Sequence, residues 1–367
     1  MDLKTLSKQH GDFYVPAFAV RVAGKDLLRE HLVAVTHAEI DLELNAAGRF
    51  SFTIADAFDF ENRDFRAGDG KTDLIEMLAF GAPIQIAMGY GDVKSLTKLI
   101  EGVVTQVATD FNDGGSPELT ISGYDNAFPM MGGKSNKSWT QRRDSDVIQE
   151  IAGLRNLDAD IASTREERSQ IERNQEGDLE FINRLAERSG FEAFVTGRTL
   201  HFRPSQNQGG GVVTLEWGKS LLHFKPDGNI AGQISGVEVY GWNPKTKKEI
   251  VGKATHGNEP GRDAKRDSGG DKITKILRDQ PVLRVRQPVF SQAEATTRAQ
   301  ALLKERADQF LTGSGETIGV PDVVPGCNIE LKGLGKKFSK TYYVQQATHR
   351  FDSNGYRTTF KVKEPTL

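Results

Sequence analysis

The stretch G-A-P-I-Q-I-A-M-G-Y-G from Gly81 to Gly91 has a counterpart in G-C-N-I-E-L-K-G-L-G from Gly326 to Gly335. After the first come Leu99, then A-T-D-F-N-D-G ending at Gly114, then Thr120 and Ile121. After the second come Tyr342, then A-T-H-R-F-D-S-N-G ending at Gly355, then Thr359 and Phe360. Each copy sets an alternating strand between a glycine and a Gly-x-Gly turn. A second strand runs through Ala-Thr to a polar turn, and a third follows. Period-two alternation broken by Gly, Asn and Asp marks antiparallel hairpins. One chain carrying two related β-modules has the architecture of a scaffold more than of a catalyst.

The flanking segments extend this pattern. Ile40, Leu42 and Leu44 face one way while Asp41 and Glu43 face the other, and Phe50, Phe52 and Ile54 continue after a turn near Asn45–Gly48. A short helix is expected from Asp73, its cap, to Phe80. Residues 1–128 thus form a first barrel-like β domain. Residues 129–205 read as a small α/β module. In it Asp144 or Ser145 caps a helix with Val147, Ile148, Ile151 and Ala152 on one stripe. A second helix begins at Asp178, buries Leu179, Ile182, Leu185 and Ala186, and stops at Gly190.

After the linker at 205–211, residues 206–250 are expected to begin a second barrel, with strands at Val212–Trp217, Leu221–Lys225 and Gly232–Tyr240. Residues 251–311 read as an insertion. Its polar, Gly-rich stretch 253–275 is expected to be a long exposed loop. Its helix opens at Ser291, with Glu294 completing a capping box, and runs to about Phe310. Residues 312–367 close the second barrel. The fold class expected is mainly β with α+β additions.

At 367 residues the chain is long enough for several cores, and a formal charge of −2 gives no general attraction to nucleic acid or anionic membrane. No nucleic-acid binding is expected. The longest apolar runs fall short of the roughly 20 residues a membrane span needs, and Met1 to Pro16 does not read as a signal peptide. Cys327 is the single cysteine, which rules out an internal disulfide and a cysteine zinc site. Its place in P-G-C-N-I-E-L suits a small packed residue.

Several strings invite a site. Gly133-Lys134-Ser135 and Gly218-Lys219-Ser220 resemble the end of a phosphate loop. The glycine that would open each loop is replaced by Phe128 and by Val213, so the backbone cannot wrap a phosphate. Gly333-x-Gly335 lacks a third glycine, Phe338 standing there. The histidines, His10, His31, His37, His201, His223, His256 and His349, are not spaced as metal ligands. No catalytic, cofactor-binding or metal residue is therefore expected, and the chain reads as no enzyme.

The closing segment G-V-P-D-V-V-P-G-C-N-I-E-L-K-G-L-G-K-K-F-S-K-T-Y-Y-V-Q-Q-A-T-H-R-F, Gly319 to Phe351, resembles the end of the phage late control protein D family. These are baseplate hub proteins of contractile tails, and the same module begins the spike proteins of type VI secretion. N-Q-E-G-D-L-E-F-I-N-R-L-A-E-R-S-G-F (Asn174–Phe191) and S-Q-A-E-A-T-T-R-A-Q-A-L-L (Ser291–Leu303) match further motifs of that family, in order. The resemblance implies a homotrimer whose two barrels per chain give six similar modules around a channel. Its implied partners are an inner tube or tube-initiator protein, a separate spike protein and other baseplate proteins, with no cofactor. Assembly in the bacterial cytoplasm, then residence in the baseplate, is expected. The alternative is a peptidoglycan-binding or peptidoglycan-cleaving tail protein using residues 140–205. A monomeric β-protein binding a small ligand is a third reading.

Overall fold

The computed structural model describes residues 3–10, 13–111, 113, 115–243, 246–259, 262–278 and 280–367. A continuous thirteen-stranded sheet runs through most of this mainly β chain. Its first half uses β1 (Pro16–Val22), β2 (Ala34–Glu43), β3 (Arg49–Ala55), β4 (Pro83–Tyr90), β5 (Thr97–Asp110) and β6 (Glu118–Asp125). They pair antiparallel in the order β1-β4-β5-β6-β3-β2. Along β3, Phe50, Phe52 and Ile54 are buried while the residues between them are not, as period two requires. Val20, Ile40, Phe52, Ile86, Ile100 and Ile121, one from each strand, meet in a single core, so the sheet is rolled on itself.

The second half repeats this plan with β7 (Val213–Glu216), β8 (Leu221–Gly228), β9 (Leu311–Ile318), β10 (Asn328–Lys332), β11 (Thr341–Asp352) and β12 (Gly355–Glu364). Their order, β7-β10-β11-β12-β9-β8, is that of the first half strand for strand. One difference is that β7 joins β10 in parallel, whereas β1 joins β4 antiparallel. Hydrogen bonds fix the correspondence. Val104 accepts from Gly81 N at 2.8 Å and donates to Ala82 O at 3.0 Å. Val344 accepts from Gly326 N at 2.9 Å and donates to Cys327 O at 2.9 Å. The register shifts also coincide, just after Val104 and Val344 and again just after Val35 and Leu221.

This pairing corrects the alignment of the repeat by one residue. With Val104 matched to Val344, Phe111 corresponds to Phe351 and Ala108 to Thr348, not to Ala347. A one-residue slip moves a side chain to the other face of a strand, and sequence identity alone did not register it. Gly114, which closes the first copy, lies outside the described residues.

The two modules join inside the chain. The end of β11 pairs with β2, from Gln346 opposite Glu43 to Phe351 opposite Ala38. Leu44 N extends the ladder to Gln345 O at 3.0 Å. One edge of β11 therefore carries β10 along its first part and β2 along its last, while β12 lines the other edge.

Two smaller layers pack outside this sheet. Helices α1 (Asp144–Leu154) and α2 (Asp178–Ser189) cover a three-stranded sheet formed by residues 158–161, 191–196 and 199–204. Their apolar stripes follow those expected, except that in α2 Phe181 is buried while Leu179 is only half-buried, and Gly190, at φ 68°, ends α2. The other layer corrects the expected division of the chain. The strand expected at Gly232–Tyr240 does not join the second barrel. Gly236–Asn243 pairs with Lys248–Thr255 and Val282–Arg286 in a separate sheet. Helix α4 (Gln292–Asp308) lies on that sheet over Val237, Val239 and Ile250. Alternation reports that a strand is half-buried, not which sheet it joins; here the contact with α4 decides. The close approach needs Gly252, where a Cβ would stand 2.1 Å from the Ala295 carbonyl carbon.

The stretch 253–275 is also corrected. It is not an open loop, though residues 260 and 261 lie outside the described residues. Helix α3 (Gly269–Ile276) is capped by a Ser268–Asp271 box. Glu259, Ser268, Gly269 and Gly270 are buried. Ser268 Oγ donates to Glu259 at 2.5 Å, and Arg262 reaches both Glu259 at 3.3 Å and Asp271 at 3.1 Å. The mixed charges that suggested solvation neutralise one another instead.

Candidate functional site

The strings weighed for chemistry occupy turns and ion pairs. Gly133-Lys134-Ser135 leads into a strand, Ser135–Arg143, and not into a helix that could hold a phosphate. Gly218-Lys219-Ser220 is the tight connection from β7 to β8, with Lys219 Nζ on Glu216 at 2.8 Å. Gly333 and Gly335 supply two left-handed turn residues at φ 81° and 75°.

His10, His201 and His256 each bind one carboxylate, those of Asp322, Asp160 and Asp271, at 2.8–2.9 Å. His349 is fully buried, with Nε2 3.0 Å from Val323 O and Nδ1 2.8 Å from Tyr356 Oη. Burial pushes its imidazole down to about 4. Burial likewise pushes the Cys327 thiol up to about 11, which removes it as a nucleophile near neutrality. Among the described residues no group of three or more His, Cys, Asp or Glu could hold a metal ion.

Buried carboxylates are committed elsewhere. Asp144 pairs with Arg168 at 3.2 Å and with Arg188, and Arg168 in turn pairs with Glu294 of α4. That chain ties the α/β layer to the outer helix. A cleft of about 740 Å³ lies beside it, walled by Arg165, Phe191, Gln206, Thr297 and Lys304. It gathers no nucleophile with a base.

What remains open is strand edge. Beyond Val104, β5 is paired on one side only, by β6; no described strand lies on the side where β4 has ended. Gln106, Ala108, Thr109, Asp110 and Phe111 are exposed there. At the far end of the sheet β8 pairs with β9 alone, leaving its outer edge uncovered by any described strand. Phe111 also joins an aromatic group with Phe58, Phe60 and Phe65, the rings of Phe58 and Phe111 being 5.6 Å apart at 79°. Phe60 is 67% and Phe111 63% exposed, an uncovered apolar surface beside the open edge of β5. The sequence displayed the repeat but not these edges. Their signal was the repeat in its correct register, one residue away from the apparent match.

A family model described as the Alg8 N-terminal domain matches residues 14–353, which takes in the first module, both outer layers and the second module as far as the end of β11. The chain belongs to the Alg8 N-terminal domain family. No curated protein matches it. Three solved structures share its fold. The 43 kDa tail protein of prophage MuSo2 from Shewanella oneidensis is 13% identical, with a TM-score of 0.70 over 95% of this chain and 98% of that one. A tail protein from Neisseria meningitidis is 15% identical, with a TM-score of 0.67 over 96% and 97%. An E. coli protein, a component of the type VI secretion system with structural similarity to T4 bacteriophage tail proteins, is 12% identical, with a TM-score of 0.59 over 95% and 77%. The fold is therefore one that this chain shares with these tail proteins. Among the described residues no helix is long and apolar enough to cross a membrane.

Proposed function

We propose that this chain is a structural baseplate hub of a contractile tail or injection device, of the late control protein D kind. Three copies form a ring that joins a hexameric inner tube to a separate trimeric spike, and the chain performs no catalysis. One observation carries the reading: two six-stranded modules with the same strand order and the same bulges, already joined edge to edge by β11 and β2. Two near-equivalent modules per chain convert threefold assembly into six positions. The fold shared with phage tail proteins supports the same reading. In the particle the chain sits at the baseplate, after assembly in the cytoplasm.

Light scattering tests the ring. It should report roughly 120 kDa, three times the 40.4 kDa of one chain, at high concentration or with spike present. Copurification from the native operon should recover a tube or tube-initiator protein and a spike. A monomer under both conditions that recovers neither partner refutes the hub.

A further inference from the structure

The junction inside the chain is a template for the one between chains. Each module has one strand that receives a neighbour along its last residues, β5 or β11, and one edge strand that can be received, β2 or β8. Within the chain β11 receives β2. Among the described strands, that leaves β5 as the receiver with no neighbour beyond Val104 and β8 as the unused edge. We propose, on the reading that copies of this chain assemble, that β5 of one copy receives β8 of the next in one register, and that a reversed charge pair selects this partner.

The register follows from the correspondence already drawn. Val104 matches Val344, so β5 residues map onto β11 at a constant offset. The shared register shifts match Val35 with Leu221 and His37 with His223, so β2 maps onto β8 in the same way. Transferring the pairs of β11 and β2 puts Gln106 opposite Asn229, Ala108 opposite Asp227, Asp110 opposite Lys225 and Phe111 opposite Phe224 of the next copy. The Leu44–Gln345 bond fixes which rungs are hydrogen-bonded, because they alternate. Phe111 with Phe224 and Val107 with Gly228 exchange two bonds each. Thr109 with Pro226 exchanges one, since proline has no N–H. Pro226 turns its nitrogen toward this edge, so the proposed pairing forgoes one bond at that rung. The same register lays Phe224 beside the exposed Phe58–Phe111 group.

Charge then distinguishes right from wrong partners. At the rung where β11 faces β2, Arg350 stands opposite Glu39. The corresponding rung between copies has Asp110 opposite Lys225, the same pair with its signs exchanged. If β5 took β2 of another copy, Asp110 would face Glu39. If β11 took β8, Arg350 would face Lys225. Both mistakes set like charges directly opposite on a strand pair, which is unfavourable. Only alternation of first and second modules sets opposite charges at this rung, and because receiver and edge lie on different modules the contact is head-to-tail, the kind that closes as a ring when the rotation between copies allows it.

The test uses the full chain with two introduced cysteines, Ala108→Cys and Asp227→Cys. This rung is not hydrogen-bonded, and its close Cα spacing suits a disulfide. Mild oxidation should give covalently closed trimers in denaturing gels. Either single variant, the wild type with Cys327 alone, and the shifted pair Ala108→Cys with Lys225→Cys should not. Separately, Asp110→Lys should weaken assembly about fivefold, as expected for a like-charge cross-strand pair, and adding Lys225→Asp should restore it. A trimer by light scattering that never cross-links at 108 and 227, or that cross-links better in the shifted pair, overturns this register while leaving the ring standing. A chain that stays monomeric overturns both.

Discussion

Replacing His349 with glutamine isolates the pH dependence of one buried group. The imidazole sits at zero exposure. Its Nε2 can only donate to the Val323 carbonyl, 3.0 Å away, so Nδ1 carries the lone pair and accepts from Tyr356 Oη at 2.8 Å. A second proton, on Nδ1, would bury a charge whose new N–H meets only hydroxyls, Thr358 Oγ1 being the other at 3.2 Å. The Asp322 carboxylate favours the charged ring, but less than burial opposes it. Burial therefore holds the group at about 4 when folded, against 6.5 when unfolded.

As pH falls below 6.5 the unfolded chain takes up the proton first, so stability is complete above 6.5 and is lost as pH drops through 4. The shift corresponds to about 3 kcal/mol over that window. The wild-type curve alone mixes in opposing groups, chiefly Asp125, which burial pushes up to about 6 and whose contribution runs the other way. The difference between wild type and His349→Gln removes them. Urea unfolding of both proteins from pH 7 to pH 4 should show the wild type losing about 3 kcal/mol more than the variant. A difference that stays flat across this range would mean that the folded chain protonates His349 freely, and the buried neutral imidazole would be the wrong description.

Replacing residues 253–275 with a Gly-Ser linker should sharply lower soluble yield, because Glu259 and Ser268 are buried and Leu367 N bonds to Asp267 O at 3.1 Å; a soluble product with unchanged melting would show that this packing is idle. Gly252→Val should cost about 1–3 kcal/mol or more by forcing α4 off its sheet, read as a lowered melting temperature and faster amide exchange in 292–308. Ser291→Ala should cost about 1 kcal/mol, since its hydroxyl accepts from Glu294 N at 3.0 Å and donates to Glu166 at 2.6 Å; Ser291→Thr, which keeps a hydroxyl for both bonds, should recover part of that loss in chemical denaturation.

The elements legible in the sequence were those with a strong local signature. The strands around Ile40 and Phe52, the stripes of α1 and α2, and the Ser291 cap each depend on residues close in sequence. Partner choice did not show. Gly236–Asn243 alternates as a barrel strand does, yet joins another sheet because α4, fifty residues later, lies over it. Segment 253–275 looked solvated because ion pairs between Arg262, Glu259 and Asp271 cannot be told from scattered charge without the fold.

 The open edges were hidden for a related reason: the Ala-Thr match at 108 and 347 is better by identity than the true match of Ala108 with Thr348, and only main-chain hydrogen bonds expose the slip.

The coincident bulges after Val104 and Val344, and after Val35 and Leu221, separate two kinds of likeness within one molecule. Apart from the reversed direction of β7, the main chain of the modules follows one mould even at its irregular points, while side chains at matched positions, such as Asp110 and Arg350, are free to differ in size and sign. A ring built from such chains has a higher symmetry in its backbone than in its side chains. A partner that docks by main-chain hydrogen bonds or by shape meets six equal seats. A partner that reads charge meets three. The same surface can thus present two different counts without any part of it moving, and mutations at matched positions would alter one count while leaving the other intact.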